Sequence, residues 1–227
     1  FFFQAEDGIR DVERSRGLEM CIRDSDDALG KIRGIIDHLP KSNIVSPAEI
    51  KEPGHVVHSE GNKLLIGEPD GSISDRARNI SNILIKSGFK SPVRKNIRKD
   101  IWMKLWGNLA FNPVSALTSA TLEDLANDRE TCTIIRKMMQ EGEKVANALG
   151  ISFPISLEQR IDGTRKVGQH KTSTLQDLEL GRPMEIDALT KSVSEAGKIV
   201  GVATPTIDTI YHLVKLNAQQ AGCYPNL

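Results

Sequence analysis

No stretch of this 227-residue chain approaches the roughly 18 consecutive apolar residues that a membrane-spanning helix needs. Neither charge is in surplus: 30 basic residues face 30 acidic ones. That balance lacks the basic signature of nucleic-acid or membrane-surface binding, so neither partner is expected. Cysteine is scarce. Cys21, Cys132 and Cys223 are odd in number and far apart, which fits neither a disulfide framework nor a metal site and points to a reducing, cytoplasmic compartment. Internal repeats and low-complexity linkers are absent. So is any Gly-x-Gly-x-x-Gly run, the loop whose backbone cradles a dinucleotide pyrophosphate at a helix N-terminus. What is present, 39% apolar and 26% charged residues, is ordinary for a globular protein of one large or two small domains.

The first 25 residues, FFFQAEDGIRDVERSRGLEMCIRDS, have neither a helix nor a strand period. They also lack the basic start and apolar centre of a signal peptide. QAEDGIRD back-translates into DNA that resembles a sequencing-library adapter, and SRGLEMCIRDS into a transposase-type adapter. The segment 1–25 is therefore read as a non-native, disordered leader, the alternative being a genuine disordered tail. Without it the chain holds 26 basic and 24 acidic residues, still near neutral.

Residues 26–95 read as mixed structure. ALGKIRGIIDHL (28–39) has helical apolar spacing and ends at Pro40. HVVHSEGNKLLIGEPDG (55–71) reads as two short strands around a Glu60-Gly61-Asn62 turn. Ser74 is placed to cap an amphipathic helix that Gly88 ends. From Asn96 the pattern is only helical. One helix is expected over 97–112, with Pro113 disrupting the next turn. A longer one is expected over 129–149, with Ile134, Ile135, Met138, Met139, Gly142, Val145, Ala146 and Leu149 inward. Further helices are expected from Ser156, over 173–180 with Thr172 or Ser173 as cap, over 186–200, and from Pro205 onward. The fold class is thus mostly α: an all-α C-terminal domain at 96–227 behind an incomplete α/β layer.

Two stretches carry polar residues in apolar company. In KLWGNLAFNPVSAL (104–117), Lys104, Asn108 and Asn112 are four apart, so each lies about 40° round the helix from the last and the three share one stripe. Three polar groups in line suit a cleft wall facing a small polar ligand; a solvated face is the bland alternative. In HKTSTLQDLELGRPMEIDAL (170–189), Ser173, Glu185 and Asp187 flank a Gly181-Arg182-Pro183 break. There a carboxylate is either a first-turn capping acid or a site group.

Lys104-x-x-x-Asn108-x-x-x-Asn112-Pro113 followed by Ser-Ala-Leu-Thr resembles the helix signature of ketopantoate reductases (2-dehydropantoate 2-reductases). HKTSTLQDLELGRPMEID resembles that family's second signature, and GHVVHSEGNKLLIGEPDG the last strands of its nucleotide-binding domain. The resemblance implies a helical domain of the 6-phosphogluconate dehydrogenase C-terminal type behind a remnant of an NADP-binding Rossmann domain at 26–95. It implies NADPH as cofactor and reduction of 2-dehydropantoate to pantoate. By the same resemblance Lys104 and Glu185 are catalytic, with Glu185 also near the cofactor, and Asn108, Asn112 and Ser173 bind substrate. His170 and Leu122 stand where some members have substrate-contacting asparagines, and 43–54 is expected to skip a glycine-rich strand. Lacking the glycine loop, the chain is expected to be a fragment that is inactive alone. Two other readings stay open: a reductase of another 2-keto acid, and a non-catalytic helical binding or dimerisation module, a homodimer included.

Overall fold

The computed structural model describes residues 62–224, together with the backbone of strands at 41–45, 48–52 and 55–58. The leader and the helix expected over 28–39 lie outside the described residues. The chain divides into two compact units, the described residues up to Ile101 in one and those from Trp102 in the other.

In the first unit, β1 (Lys41–Val45) pairs antiparallel with β4 (Lys63–Gly67), Lys41 opposite Gly67 and Val45 opposite Lys63. Between them in sequence, β2 (Ala48–Glu52) pairs antiparallel with β3 (His55–His58). The hairpin expected within 55–71 is therefore corrected. Both of its strands exist, but β3 returns on β2 and β4 on β1, one hairpin nested within another pairing. Register depends on which faces become buried across strands, which alternation within one short stretch does not report. The stretch 43–54 contributes to both β1 and β2. Helix α1 (Asp75–Lys86) follows the expected signals: the Ser74 hydroxyl accepts from the Ala77 N–H at 3.1 Å, and Gly88 adopts φ +93°.

Glu68, just past β4, is buried and takes hydrogen bonds from Arg76 at 2.6 and 2.7 Å and from the Ser74 hydroxyl. The Arg76 bonds hold its carboxyl below the usual range against the opposing pull of burial. A carboxyl with a depressed folded-state pKa stabilises the fold above its unfolded pKa, and that contribution is lost as pH falls through the folded value.

The second unit is a helix assembly built on α2 (Ile97–Thr118), whose turns from Trp102 onward belong to it. It continues with α3 (Leu122–Asn127), α4 (Arg129–Ala148), α5 (Leu157–Arg165), α6 (Ser173–Glu179), a π-helical turn at Asp187–Lys191 running into α7 (Ser192–Val200), and α8 (Pro205–Gln220). Most starts are marked by local chemistry. Thr121 and Ser156 close capping boxes with Asp124 and Gln159, and the Thr172 hydroxyl caps α6. The start of α8 is capped from a distance: the buried Glu141 carboxylate on α4 accepts the N–H groups of Thr206 and Ile207 at 3.0–3.1 Å. Gly150 and Gly201, at φ +78° and +73°, end α4 and α7.

Three expectations change. Pro113 does not end α2, which continues to Thr118. A proline inside a helix costs about 3 kcal/mol or more; here Val114 and Ala116 of the following turn are buried, and their burial offsets it. Ile134 and Leu149 are 39% and 43% exposed, while Cys132 and Glu141 face inward instead. The short helix α3 was not expected at all; its capping box is its sequence signal.

The α2–α4 contact organises the unit. Trp106, fully buried, donates its indole N–H to the Met139 carbonyl at 2.8 Å and stacks on Phe153 with centroids 4.1 Å apart. One turn further along α4, Gly142 admits Leu109: a Cβ there would stand 2.8 Å from Leu109 Cδ2.

Two outcomes are expected. Trp106→Ala should lower unfolding stability by about 3–5 kcal/mol in urea titration, the cost of a large core truncation. Glu68→Gln should flatten the acid limb of stability: between pH 7 and about pH 3 the wild type should lose more than the variant. Parallel acid limbs would show that Glu68 carries no linked proton.

Candidate active site on the helical unit

Lys104, Asn108 and Asn112 lie along one stripe of α2, successive members offset by about 40°. The line is not a solvated face. Lys104 and Asn108 are half-buried, and Asn112 is only 5% exposed. Trp106 and Leu109 occupy the turns that face α4, so the packing that buries them sets the direction of the polar stripe.

The second stretch meets this line at its inner end. The Asn112 amide donates to the Ser173 hydroxyl at 3.4 Å and to the Thr174 hydroxyl at 3.2 Å, across more than 60 residues of sequence. Both hydroxyls sit in the first turn of α6, where Thr172 accepts the Leu175 N–H at 3.2 Å. Ser173 is half-buried and Thr174 is buried. Thr174 was not singled out from sequence. In STLQD it reads as one more helix-start hydroxyl, and only the fold shows it to be the closer partner of Asn112.

Glu185 is half-buried between Met184 and Ile186, both of which are buried in a cluster with Ala116, Val214, Ala218 and Cys223. Ala116 lies one turn beyond Asn112, so this cluster holds the Glu185 segment against the inner half of α2. The Met184 N–H donates to the Cys223 carbonyl at 2.8 Å, which fixes the approach to Glu185 further. The π-helical turn follows at once. Such turns are uncommon and often accompany functional sites.

Asp187 lies in the first turn of the π-helical segment, as the first-turn reading expected, but its carboxylate is bound elsewhere. It caps no helix; the hydroxyls of Tyr211 and Tyr224 donate to its two oxygens at 3.0 and 2.9 Å, and Lys191 lies 3.8 Å away. Burial, with the negative neighbour, pushes the Tyr211 hydroxyl well above its usual range. His170 is exposed, and its carbonyl accepts the Leu122 N–H at 2.9 Å. The two positions that depart from some members' asparagines are therefore joined through backbone. Among the described residues no group of acidic, histidine and cysteine side chains is placed to hold a metal ion, and no helix is long and apolar enough to cross a membrane.

The arrangement is a helical domain that carries a half-buried lysine–amide stripe closed by a hydroxyl-bearing helix start. The family profile described as ketopantoate reductase PanE/ApbA, C terminal, matches residues 96–218, so this chain belongs to the ketopantoate reductase family. A 2-dehydropantoate 2-reductase of Mesorhizobium japonicum is 48% identical over 183 residues, which is 80% of this chain and 56% of that protein. A crystal structure of a candidate ketopantoate reductase from Ralstonia solanacearum MolK2 superposes with a TM-score of 0.81 at 36% identity, covering 87% of this chain and 62% of that one. The 2-dehydropantoate 2-reductase of Methylococcus capsulatus gives a TM-score of 0.78 at 27% identity, over 86% and 68%. The chain thus spans little more than half the length of the curated Mesorhizobium relative.

The link between the two stretches can be measured. A double-mutant cycle of Asn112→Ala and Thr174→Val, read from urea midpoints, should give a coupling of about 0.5–1.5 kcal/mol. Additive losses would mean that the amide and the hydroxyl do not share a bond in solution.

Proposed function

We propose that this chain supplies the substrate-holding and proton-donating part of a 2-dehydropantoate 2-reductase. The observation that carries the reading is the bond from Asn112 to Ser173 and Thr174, which joins the two family signatures at one end of a half-buried lysine–asparagine line.

The residues suit reduction of a 2-oxo acid. The half-buried Lys104 is a cation on the cleft wall, suited to hydrogen-bond a keto oxygen. As that oxygen gains negative charge, the ammonium stabilises it and gives it a proton. Asn108 is half-buried and has both a donor and an acceptor to offer the substrate. Asn112 is buried and directs its N–H to Ser173 and Thr174, so its part is to orient Ser173 toward substrate as well as to line the cleft. Glu185, held by the Met184–Ile186 cluster, is the carboxylate of the site; near Lys104 it would keep the ammonium charged.

NADPH, when bound, supplies the hydride. The present residues suit the substrate end of that reaction and not the pyrophosphate, because the 227 residues include no glycine loop to cradle it. Calorimetric titration of this chain with NADPH should accordingly find no micromolar binding.

Activity is tested by joining the N-terminal part of the Mesorhizobium relative to this chain and following NADPH absorbance with 2-dehydropantoate. Lys104→Ala should then lower kcat by roughly 10²–10⁴-fold, the loss of a positioned proton donor. Ser173→Ala should act more on KM. A chimera that ignores 2-dehydropantoate but reduces another keto acid would overturn the substrate. One whose Lys104→Ala variant is as fast as its parent would overturn the role of the lysine.

A further inference from the structure

Arg160, on α5, is the one described arginine whose carbon-bonded Nε is sealed from solvent without an acceptor. No described carboxylate pairs with its guanidinium, and burial pulls its pKa down. Arg160 is half-buried overall, and a cation desolvated in part without a counter-charge is costly.

Its location gives that cost a purpose. The guanidinium lies against Gly107 of α2: a Cβ at 107 would stand 2.9 Å from Arg160 Cζ, 3.1 Å from Nε and closer still to Nη2. Any side chain at 107 would therefore evict it. Glycine in a helix interior is itself unfavourable by about 1 kcal/mol against alanine, so the slot is made at the helix's expense. Gly107 precedes Asn108 directly and follows Lys104 by three residues. On the helix it lies about 60° from Lys104, on the side away from Asn112, which lies about 80° the other way. Arg160 and Ser173 therefore flank the Lys104–Asn108 line from opposite sides.

We propose that Arg160 is a substrate-binding residue of this cleft, seated by Gly107, and that it takes the carboxylate of a 2-oxo acid. A 2-oxo acid carries its carboxylate and keto oxygen on adjacent carbons. A guanidinium beside Lys104 can hold the first in its planar fork while the ammonium meets the second. The inference rests on the cleft assignment made under the proposed function but does not require 2-dehydropantoate to be the natural substrate.

The test is calorimetric titration of this chain and its Arg160→Met, Arg160→Lys and Gly107→Ala variants. The probes are 2-dehydropantoate, pyruvate and the neutral lactone of 2-dehydropantoate. Arg160→Met and Gly107→Ala should weaken the two acids roughly tenfold or more, the loss of a charge-assisted bond, with Arg160→Lys between. The lactone should bind all four proteins alike. Arg160→Met should melt no lower than wild type, since it removes a half-buried charge whose Nε has no acceptor. Acids bound as tightly by Arg160→Met as by wild type would overturn the proposal, as would lactone and acids weakened in parallel, or a wild type that binds neither acid. Arginine-dependent binding of pyruvate but not of 2-dehydropantoate would uphold the carboxylate site and sink the substrate reading. Arginine-independent binding of 2-dehydropantoate would do the reverse.

Discussion

The rotation of α2 about its own axis is the constraint on which the helical unit depends, and Trp106 sets it. A helix with apolar residues on most sides has no strong preference for which face to bury. An indole that must both disappear from solvent and find an acceptor has very few solutions. Here the acceptor is the Met139 carbonyl, and Phe153 covers the ring. Gly142 then lets Leu109 come close, which repeats the same rotation one turn later. With that face committed to α4, Lys104, Asn108 and Asn112 have only one direction left to point.

From this fixed helix the rest of the site is assembled by contacts that are each modest alone. Apolar packing through Ala116 brings in the segment on either side of Glu185, and the amide of Asn112 brings in the start of α6. Neither contact involves the chemistry itself. Their common effect is that a carboxylate, a hydroxyl and a lysine, all half-buried, come from parts of the chain about 70 to 80 residues apart and are held by side chains that are fully buried. A candidate polar site keeps its geometry in this way: the polar groups stay partly exposed while their neighbours are locked.

Local rules are broken mainly around this site. A proline sits inside α2, a glycine sits between Lys104 and Asn108, a π-helical turn follows Glu185, and a half-buried arginine has a sealed Nε without an acceptor. Elsewhere among the described residues most helices have ordinary caps and glycine ends, with Ser119 at φ +58° as an exception. Departures of this kind cost stability and tend to persist where function repays them.

Local signals were accordingly legible in the amino-acid order and non-local ones were not. Ser74, Ser156, Gly150 and Gly201 mark helix ends because capping and left-handed turns involve only a few neighbouring residues. The lysine–asparagine stripe was legible because helical period is local too. The nested strand pairing, the outward turn of Ile134 and Leu149, and the continuation through Pro113 were not. Each depends on what another part of the chain buries. The same holds for the bond of Asn112 to Thr174 and the seat of Arg160 on Gly107. Sequence alone determined which side chains share a face and where most helices stop. Tertiary packing decided which face is buried and what meets it, because burial energy is a property of two surfaces and one segment describes only its own.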